Sequence, residues 1–129
     1  MVSAGEPIPA DTTAWANSGA GTIVVSNGVF TIKYTSAGRG VYRTISFTSP
    51  ITVAAGDIIE LYLMDGSASL KAKSGYFDEK SFSRSVSFTA NASGQMSQIL
   101  MATSVASGIQ LSTRIRLTLN GVILIGNNY

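Results

Sequence analysis

The chain has 129 residues, of which 45% are apolar and 12% charged, with 9 basic against 7 acidic side chains. It contains neither cysteine nor histidine, which excludes disulfides, thiolate or imidazole metal sites, and the Ser-His-Asp and Cys-His catalytic systems. The net charge of +2 is too small to indicate a nucleic-acid partner, and no stretch approaches the apolar length of a membrane span.

In chain order, residues 1–14 predict an extended N-terminal arm that precedes a single domain over residues 15–129. Pro7 and Pro9 flank Ile8 and favour extended backbone on either side of it. Two interpretations remain open for this arm. It is either a frayed terminus, or a segment that docks on a neighbouring subunit by burying Val2 and Ile8.

The clearest local pattern is a hairpin over residues 22–34, because Asn27-Gly28 lies between two apolar, β-branched segments and readily takes the positive φ angles of a type I′ turn. The next segment, residues 41–47, predicts a strand with Val41, Ile45 and Phe47 pointing inward. Ser49-Pro50 is expected to end that strand.

The middle of the chain predicts three further features. Residues 57–64 are apolar on both strand faces, which is typical of a central strand that is covered on both sides. After a turn at Asp65-Gly66 and a strand over residues 67–73, residues 75–80 are interpreted as a charged, aromatic loop. Residues 81–89 then alternate between apolar and hydroxyl side chains, as in one half-buried strand.

The C-terminal part adds strands over residues 95–103 and 109–119, followed by Asn120-Gly121 and a short strand over residues 122–125. The total is eight or nine strands, with turn signals every 8–12 residues and no helical periodicity. The sequence therefore predicts an all-β fold, either an antiparallel sandwich or a barrel.

The order of these motifs resembles the carbohydrate-binding-module-like jelly-roll domains. The resemblance implies an antiparallel β-sandwich of two sheets with jelly-roll topology. The resemblance covers roughly residues 15–125, and five segments carry it: Trp15 to Ile23, Asn27-Gly28, Val53 to Leu61, Phe82 to Ala90 and Arg114 to Leu124. Such domains occur attached to glycosidases and within bacteriophage tail, fibre and capsid-decorating proteins.

The resemblance implies a non-enzymatic virion structural protein, either a capsid decoration (cement) protein or a fibre-like appendage. Its expected partners are other virion proteins such as the major capsid protein, in a homo-oligomer that resemblance suggests is a trimer. The N-terminal residues lack the charged and apolar regions of a secretory signal, so the expectation is synthesis in the host cytoplasm and location in the virion. The alternative function is a carbohydrate-binding module that recognises a bacterial surface polysaccharide.

Catalysis is not expected. A glycosidase needs two carboxyl groups at a defined separation, and Glu60 is the one acidic residue within an apolar strand. Glu60 is instead expected to pair with Arg43 or Arg84 on a sheet face. No cofactor is predicted, although Asp57, Asp65 and Asp78 lie at turns where oxygen ligands for a structural calcium ion could converge.

Binding candidates are the aromatic side chains that could offer a flat platform to a sugar ring or to a protein partner. They are Trp15, Tyr42, Tyr62, Tyr76 and Phe77. For Trp15, burial in the core is the competing interpretation.

Interface candidates are the terminal apolar residues and a set of arginines, a residue type favoured at protein interfaces. For the arginines, ion pairs are the alternative to interface contacts. The hydroxyl face of residues 81–87 suits either close approach by another protein surface or exposure to solvent. The interface candidates are Val2, Ile8, Arg43, Arg84, Arg114, Arg116 and Tyr129.

Overall fold

The computed structural model describes residues 11–129, which form eleven β-strands and no helix. The strands are β1 (Ser18–Ala20), β2 (Ile23–Ser26), β3 (Val29–Ile32), β4 (Arg43–Val53), β5 (Ile58–Leu63), β6 (Leu70–Ser74), β7 (Phe77–Phe82), β8 (Ser85–Thr89), β9 (Gly94–Thr103), β10 (Leu111–Leu119) and β11 (Val122–Ile125).

Strands β3 to β10 pair as one long hairpin that is folded over on itself. The innermost pair is β6–β7, and β5–β8, β4–β9 and β3–β10 follow outward, all antiparallel. This places β1-β2-β3-β10-β5-β8 in the larger sheet, where β11 also pairs with β10, and β4-β9-β6-β7 in the smaller sheet. The nested pairing is the topology of a jelly roll, so the predicted fold is confirmed, with two or three more strands than expected.

Both predicted Asn-Gly hairpins are confirmed. Asn27 and Gly28 have φ angles of 50° and 78°, and Asn120 and Gly121 have 50° and 82°. Two successive positive φ angles define the type I′ turn, whose twist matches that of the strands on either side. The first turn joins β2 to β3, and the second joins β10 to β11.

The expectation that Ser49-Pro50 ends a strand is wrong, since β4 runs from Arg43 to Val53. Its pairing with β9 shifts register between Ser46 and Ile51, so the proline lies in an irregular stretch where it has no ladder hydrogen bond to donate. The same strand begins later than expected, and Val41, which was predicted to point inward, is 41% exposed.

Residues 75–89 also differ from the prediction. The expected loop over residues 75–80 is largely strand β7, and the expected single strand over residues 81–89 is divided between β7 and β8, which lie in different sheets. Phe77 and Phe88 stack with ring centroids 3.8 Å apart and are both buried. Because β7 is an edge strand, its exposed Asp78, Glu79 and Lys80 concealed the strand signal.

Trp15 closes one side of the core. Its side chain is 1% exposed, and its ring lies 4.9 Å from Phe30 in an edge-to-face arrangement and 5.0 Å from Phe47. The backbone here adds to β4, because Thr48 N donates to Ala14 O at 2.9 Å. The competing interpretation of Trp15 as a core residue is therefore the correct one.

The last residues of the predicted arm are held by the sandwich. Asp11 Oδ2 accepts a hydrogen bond from Gly126 N at 3.1 Å, and residues 12–14 form a turn that leads into Trp15. Val2 and Ile8 lie outside the described residues. Within residues 11–129 there is no helix that could cross a membrane.

The two faces of β5 differ more than the sequence suggests. Ile59, Leu61 and Leu63 are buried between the sheets, as predicted. The opposite face, with Tyr62 and Met64, is only half-buried, since no other described element packs across it. The expected cover on both sides is therefore wrong, and the outer face of the larger sheet is open.

Replacing Trp15 with alanine tests the role of this residue in the core. We expect Trp15→Ala to lower the free energy of unfolding by about 3–5 kcal/mol, the usual cost of removing a large buried aromatic side chain. Urea denaturation followed by circular dichroism measures it. Ile109→Ala is the control, because Ile109 is 72% exposed and its truncation should cost less than about 0.5 kcal/mol. Equal losses in the two variants would contradict the packing described here.

Candidate binding groove

A groove of about 410 Å³ crosses the outer face of the larger sheet. Strand register builds it, because Arg116 on β10 lies opposite Tyr62 on β5, which in turn lies opposite Ser85 on β8. Cross-strand neighbours on one sheet face are close enough for their side chains to touch. The groove is lined by Tyr62, Leu63, Met64, Arg84, Ser85, Arg116, Thr118 and Ile123.

A hydrogen-bonded cluster forms the polar centre of this face. Tyr62 Oη donates to Glu60 Oε2 at 2.9 Å, and Thr118 Oγ1 donates to Glu60 Oε1 at 3.4 Å. The Glu60 carboxylate accepts a hydrogen bond from the neutral phenol, which favours the protonated form of Tyr62. Partial burial disfavours the charged phenolate, and both effects raise the pKa of Tyr62. Glu60 was expected to pair with Arg43 or Arg84, and its hydrogen-bond partners are Tyr62 and Thr118 instead.

Two arginines contribute positive charge to the groove. Arg116 Nη2 donates to Gly126 O at 3.2 Å, while its Nε is buried and has no hydrogen-bond partner among the described residues. Arg84 lies in the bend between β7 and β8 and is exposed. The groove therefore combines one partly fixed and one solvent-facing guanidinium with an aromatic ring.

The neighbouring Arg114 has a structural role. Its guanidinium makes a two-point contact with the carboxylate of Asp65, with Nε 2.8 Å from Oδ2, and its backbone N donates to the same oxygen at 2.9 Å. These bonds hold the pKa of Asp65 below its ordinary value. Arg114 also lies 5.0 Å from the ring of Tyr129, whose hydroxyl donates to Ile115 O at 3.3 Å. This cluster ties the turn after β5 and the C-terminus to β10.

The predicted aromatic candidates do not form one site. Trp15 and Phe77 are buried in the core, so neither presents a face to a ligand, and both are corrected here. Tyr76 packs against the core and donates from Oη to Gln95 O at 3.0 Å. Tyr42 is half-buried on the smaller sheet, with Lys73 Nζ 4.2 Å from its ring centroid. Among the five, Tyr62 is the one that lines the groove.

The predicted interface arginines are also divided. Arg84 and Arg116 line the groove, and Arg114 lies beside it. Arg43 lies on β4 in the smaller sheet, where its guanidinium covers Gly21 and its Nε is buried without a hydrogen-bond partner in the described part of the chain. A single basic strip is therefore not formed.

The three aspartates that were considered for calcium lie apart. Asp57 accepts hydrogen bonds from Asn120 Nδ2 at 3.0 Å and Ala54 N at 2.8 Å, which lower its pKa. Asp65 is bound to Arg114, and Asp78 is exposed on β7. No group of three acidic ligands occurs within residues 11–129.

A second surface feature is the edge formed by β11. Val122, Ile123 and Leu124 are three successive exposed apolar residues, and Val122 is 63% exposed. The strand pairs with β10 on one side and with no described strand on the other. Leu124 and Ile125 also line a second groove of about 540 Å³, which opens between β11 and the irregular part of β4. We call residues 122–124 the β11 edge.

Five groove residues were not among the predicted sites: Leu63, Met64, Ser85, Thr118 and Ile123. The sequence did carry a usable signal, since the Asn120-Gly121 turn fixes β11 beside β10, and even-numbered residues of β10 share the face of Arg116. The pairing of β10 with β5, which completes the groove, joins strands about 50 residues apart and has no local signature.

Comparison of this chain with family models, with curated proteins and with solved structures finds no match.

The hydrogen bond between Tyr62 and Glu60 gives the first test of the groove. We expect Glu60→Gln to lower the pKa of Tyr62, because an ionised carboxylate no longer opposes formation of the phenolate. The chemical shift of the tyrosine Cζ carbon, followed by NMR against pH, measures it. Glu79→Gln, on the exposed part of β7, is the matched control and should leave the Tyr62 titration in place. An unchanged titration in Glu60→Gln would show that the bond does not form in solution.

The Asp65–Arg114 pair predicts a pH dependence of stability. Since folding lowers the pKa of Asp65 from its ordinary value of 3.8, the ionised carboxylate stabilises the folded state above that pH. Asp65→Asn should therefore cost about 1 kcal/mol near neutral pH. This difference should shrink as the pH falls below about 4 and through the folded-state pKa. Urea unfolding at several pH values measures it, with Asp78→Asn as the control, and a difference that grows toward acid would be the wrong sign.

Proposed function

We propose that this protein is a non-enzymatic structural protein of a bacteriophage virion, either a capsid decoration (cement) protein or a fibre-like appendage. It acts by contact with other virion proteins, such as the major capsid protein, and as a homo-oligomer. The observation that carries the proposal is the β11 edge, where three exposed apolar residues lie on a strand whose outer side has no partner strand among residues 11–129.

An unpaired edge strand favours association because it offers both hydrogen bonds and apolar contact. A partner strand laid along β11 satisfies its outward N–H and C=O groups, and burying its side chains adds about 2.5 kcal/mol per 100 Å² of apolar surface before association costs. Natural proteins usually protect such edges with charge or proline, and residues 122–124 carry neither. Repetition over a virion surface would multiply a weak single contact through multivalency.

A charge placed on the β11 edge tests the proposal. We expect Val122→Lys to reduce co-sedimentation with capsids of the phage that carries the gene by at least tenfold, because the lysine must be desolvated in the contact. Ile109→Lys is the matched control, since Ile109 is at least as exposed and lies outside β11. Thermal unfolding confirms that both variants fold.

Removing residues 1–10 in a separate variant tests the predicted arm without disturbing the pairing of Ala14 with Thr48. Co-sedimentation that is lost only in this truncation would assign the contact to the arm and overturn the role of the β11 edge. If the purified protein does not associate with virion proteins at all, the structural function is wrong.

The second candidate function is a carbohydrate-binding module for a bacterial surface polysaccharide, and the groove around Tyr62 favours it. An aromatic ring beside hydroxyl and guanidinium groups is the arrangement that a sugar needs, with apolar contact for its C–H face and hydrogen bonds for its hydroxyls. Binding of a glycan that depends on Tyr62 would support this function independently of any capsid contact.

A further inference from the structure

We infer that the groove around Tyr62 binds an acidic saccharide, a pyranose that carries a carboxylate, with Arg84 and Arg116 as the groups that recognise the charge. The inference rests on the second candidate function and names its ligand class. Three observations lead to it: the charge balance of the groove, the fixed orientation of the Arg116 guanidinium, and the arrangement of apolar and hydroxyl groups around Tyr62.

The charges on this face are unequally compensated. Arg114 is neutralised by Asp65, and the oxygens of Glu60 already accept hydrogen bonds from Tyr62 and Thr118. Arg84 and Arg116 line the groove, and neither forms an ion pair with any residue in the described range. A ligand with a negative charge complements this balance, whereas a neutral ligand does not use it.

The geometry of Arg116 points in the same direction. Its Nη2 is held by Gly126 O, which orients the guanidinium. A guanidinium binds a carboxylate through two parallel hydrogen bonds. Because Arg116 lines the groove and has no ion-pair partner within residues 11–129, its oriented guanidinium suits a ligand that carries a carboxylate.

The remaining lining suits a sugar ring rather than a simple anion. Tyr62, Met64 and Ile123 supply apolar surface, and the exposed hydroxyl of Ser85 can exchange hydrogen bonds with ring hydroxyls. The groove volume of about 410 Å³ lies within the range of small-molecule sites, about 300–1,000 Å³. A small inorganic anion would leave the apolar part of this surface unused.

The test measures binding of acidic and neutral glycans to the full-length protein. The probes are oligosaccharides of galacturonate, guluronate, glucuronate and sialate, and each is paired with its methyl ester, which has the same ring without the charge. Isothermal titration calorimetry gives Kd, and NMR shift changes locate the site. We expect saturable binding of at least one acidic probe, at least tenfold weaker binding of its ester, and weakening on added salt.

Variants assign the binding to the groove. Arg84→Gln, at an exposed position, and Arg116→Lys, which keeps the charge but loses the two-point geometry, should each weaken binding at least tenfold. Arg39→Gln is the matched control, because Arg39 is an exposed arginine outside the groove, and its Kd should be unchanged. Thermal unfolding of each variant separates loss of binding from loss of folding.

The other outcomes overturn the inference in distinguishable ways. Equal binding of acid and ester would identify a neutral sugar site and leave the carbohydrate-binding function in place. Equal affinity for inorganic phosphate would identify an anion site without sugar specificity. If none of the acidic probes binds, the acidic-saccharide assignment is wrong, whereas the virion function is judged separately, by co-sedimentation and the Val122→Lys variant.

Discussion

The register of β10 is the constraint on which the rest of the structure depends. This strand pairs with β5 on one edge and with β3 and β11 on the other, so it fixes the positions of three neighbours. Its alternation buries Ile115 and Leu117 between the sheets and turns Arg114 and Arg116 outward. A shift of one residue would exchange the two faces, burying the arginines and exposing the core residues. The cost of burying two guanidiniums therefore selects one register.

That register also decides how each outward charge is used. Arg114 lies where the turn after β5 brings Asp65 against it. Its guanidinium binds the Asp65 carboxylate and packs on the ring of Tyr129, so it stabilises the turn and the C-terminus. Arg116, two residues further along the same face, lies opposite Tyr62 and forms no ion pair within the described part of the chain. Two similar residues on one strand thus acquire different roles because of the strands beside them. Arg114 stabilises the fold, whereas Arg116 lines the groove, where its guanidinium can contact a ligand.

The parts of the fold that follow from local physics were predictable, and those that depend on distant pairing were not. The Asn-Gly turns and the inward face of β5 follow from backbone preference and alternation, and both are confirmed. The division of residues 81–89 between two sheets was missed because a hydroxyl side chain continues at every second position through the bend, although Arg84 interrupts the apolar face there. Pro50 was wrongly expected to end its strand. It lies in the irregular stretch of β4, where the pairing with β9 does not require a backbone N–H at this position, so the strand continues through it.

The candidate site was predictable only in its components, because Tyr62 on β5, Arg84 in the bend before β8 and Arg116 on β10 are brought together by the jelly-roll pairing of these strands. The same topology places the groove and the β11 edge side by side, and Ile123 belongs to both surfaces. A partner strand that paired with β11 would restrict the side chain of Ile123, which lines the groove. Binding at one surface would then change the affinity of the other by a reciprocal factor, as thermodynamic linkage requires. Val122 belongs only to the β11 edge, and Arg84 belongs only to the groove. Substitutions at these two positions therefore measure contact through the β11 edge and ligand binding in the groove separately, whereas a substitution of Ile123 would change both.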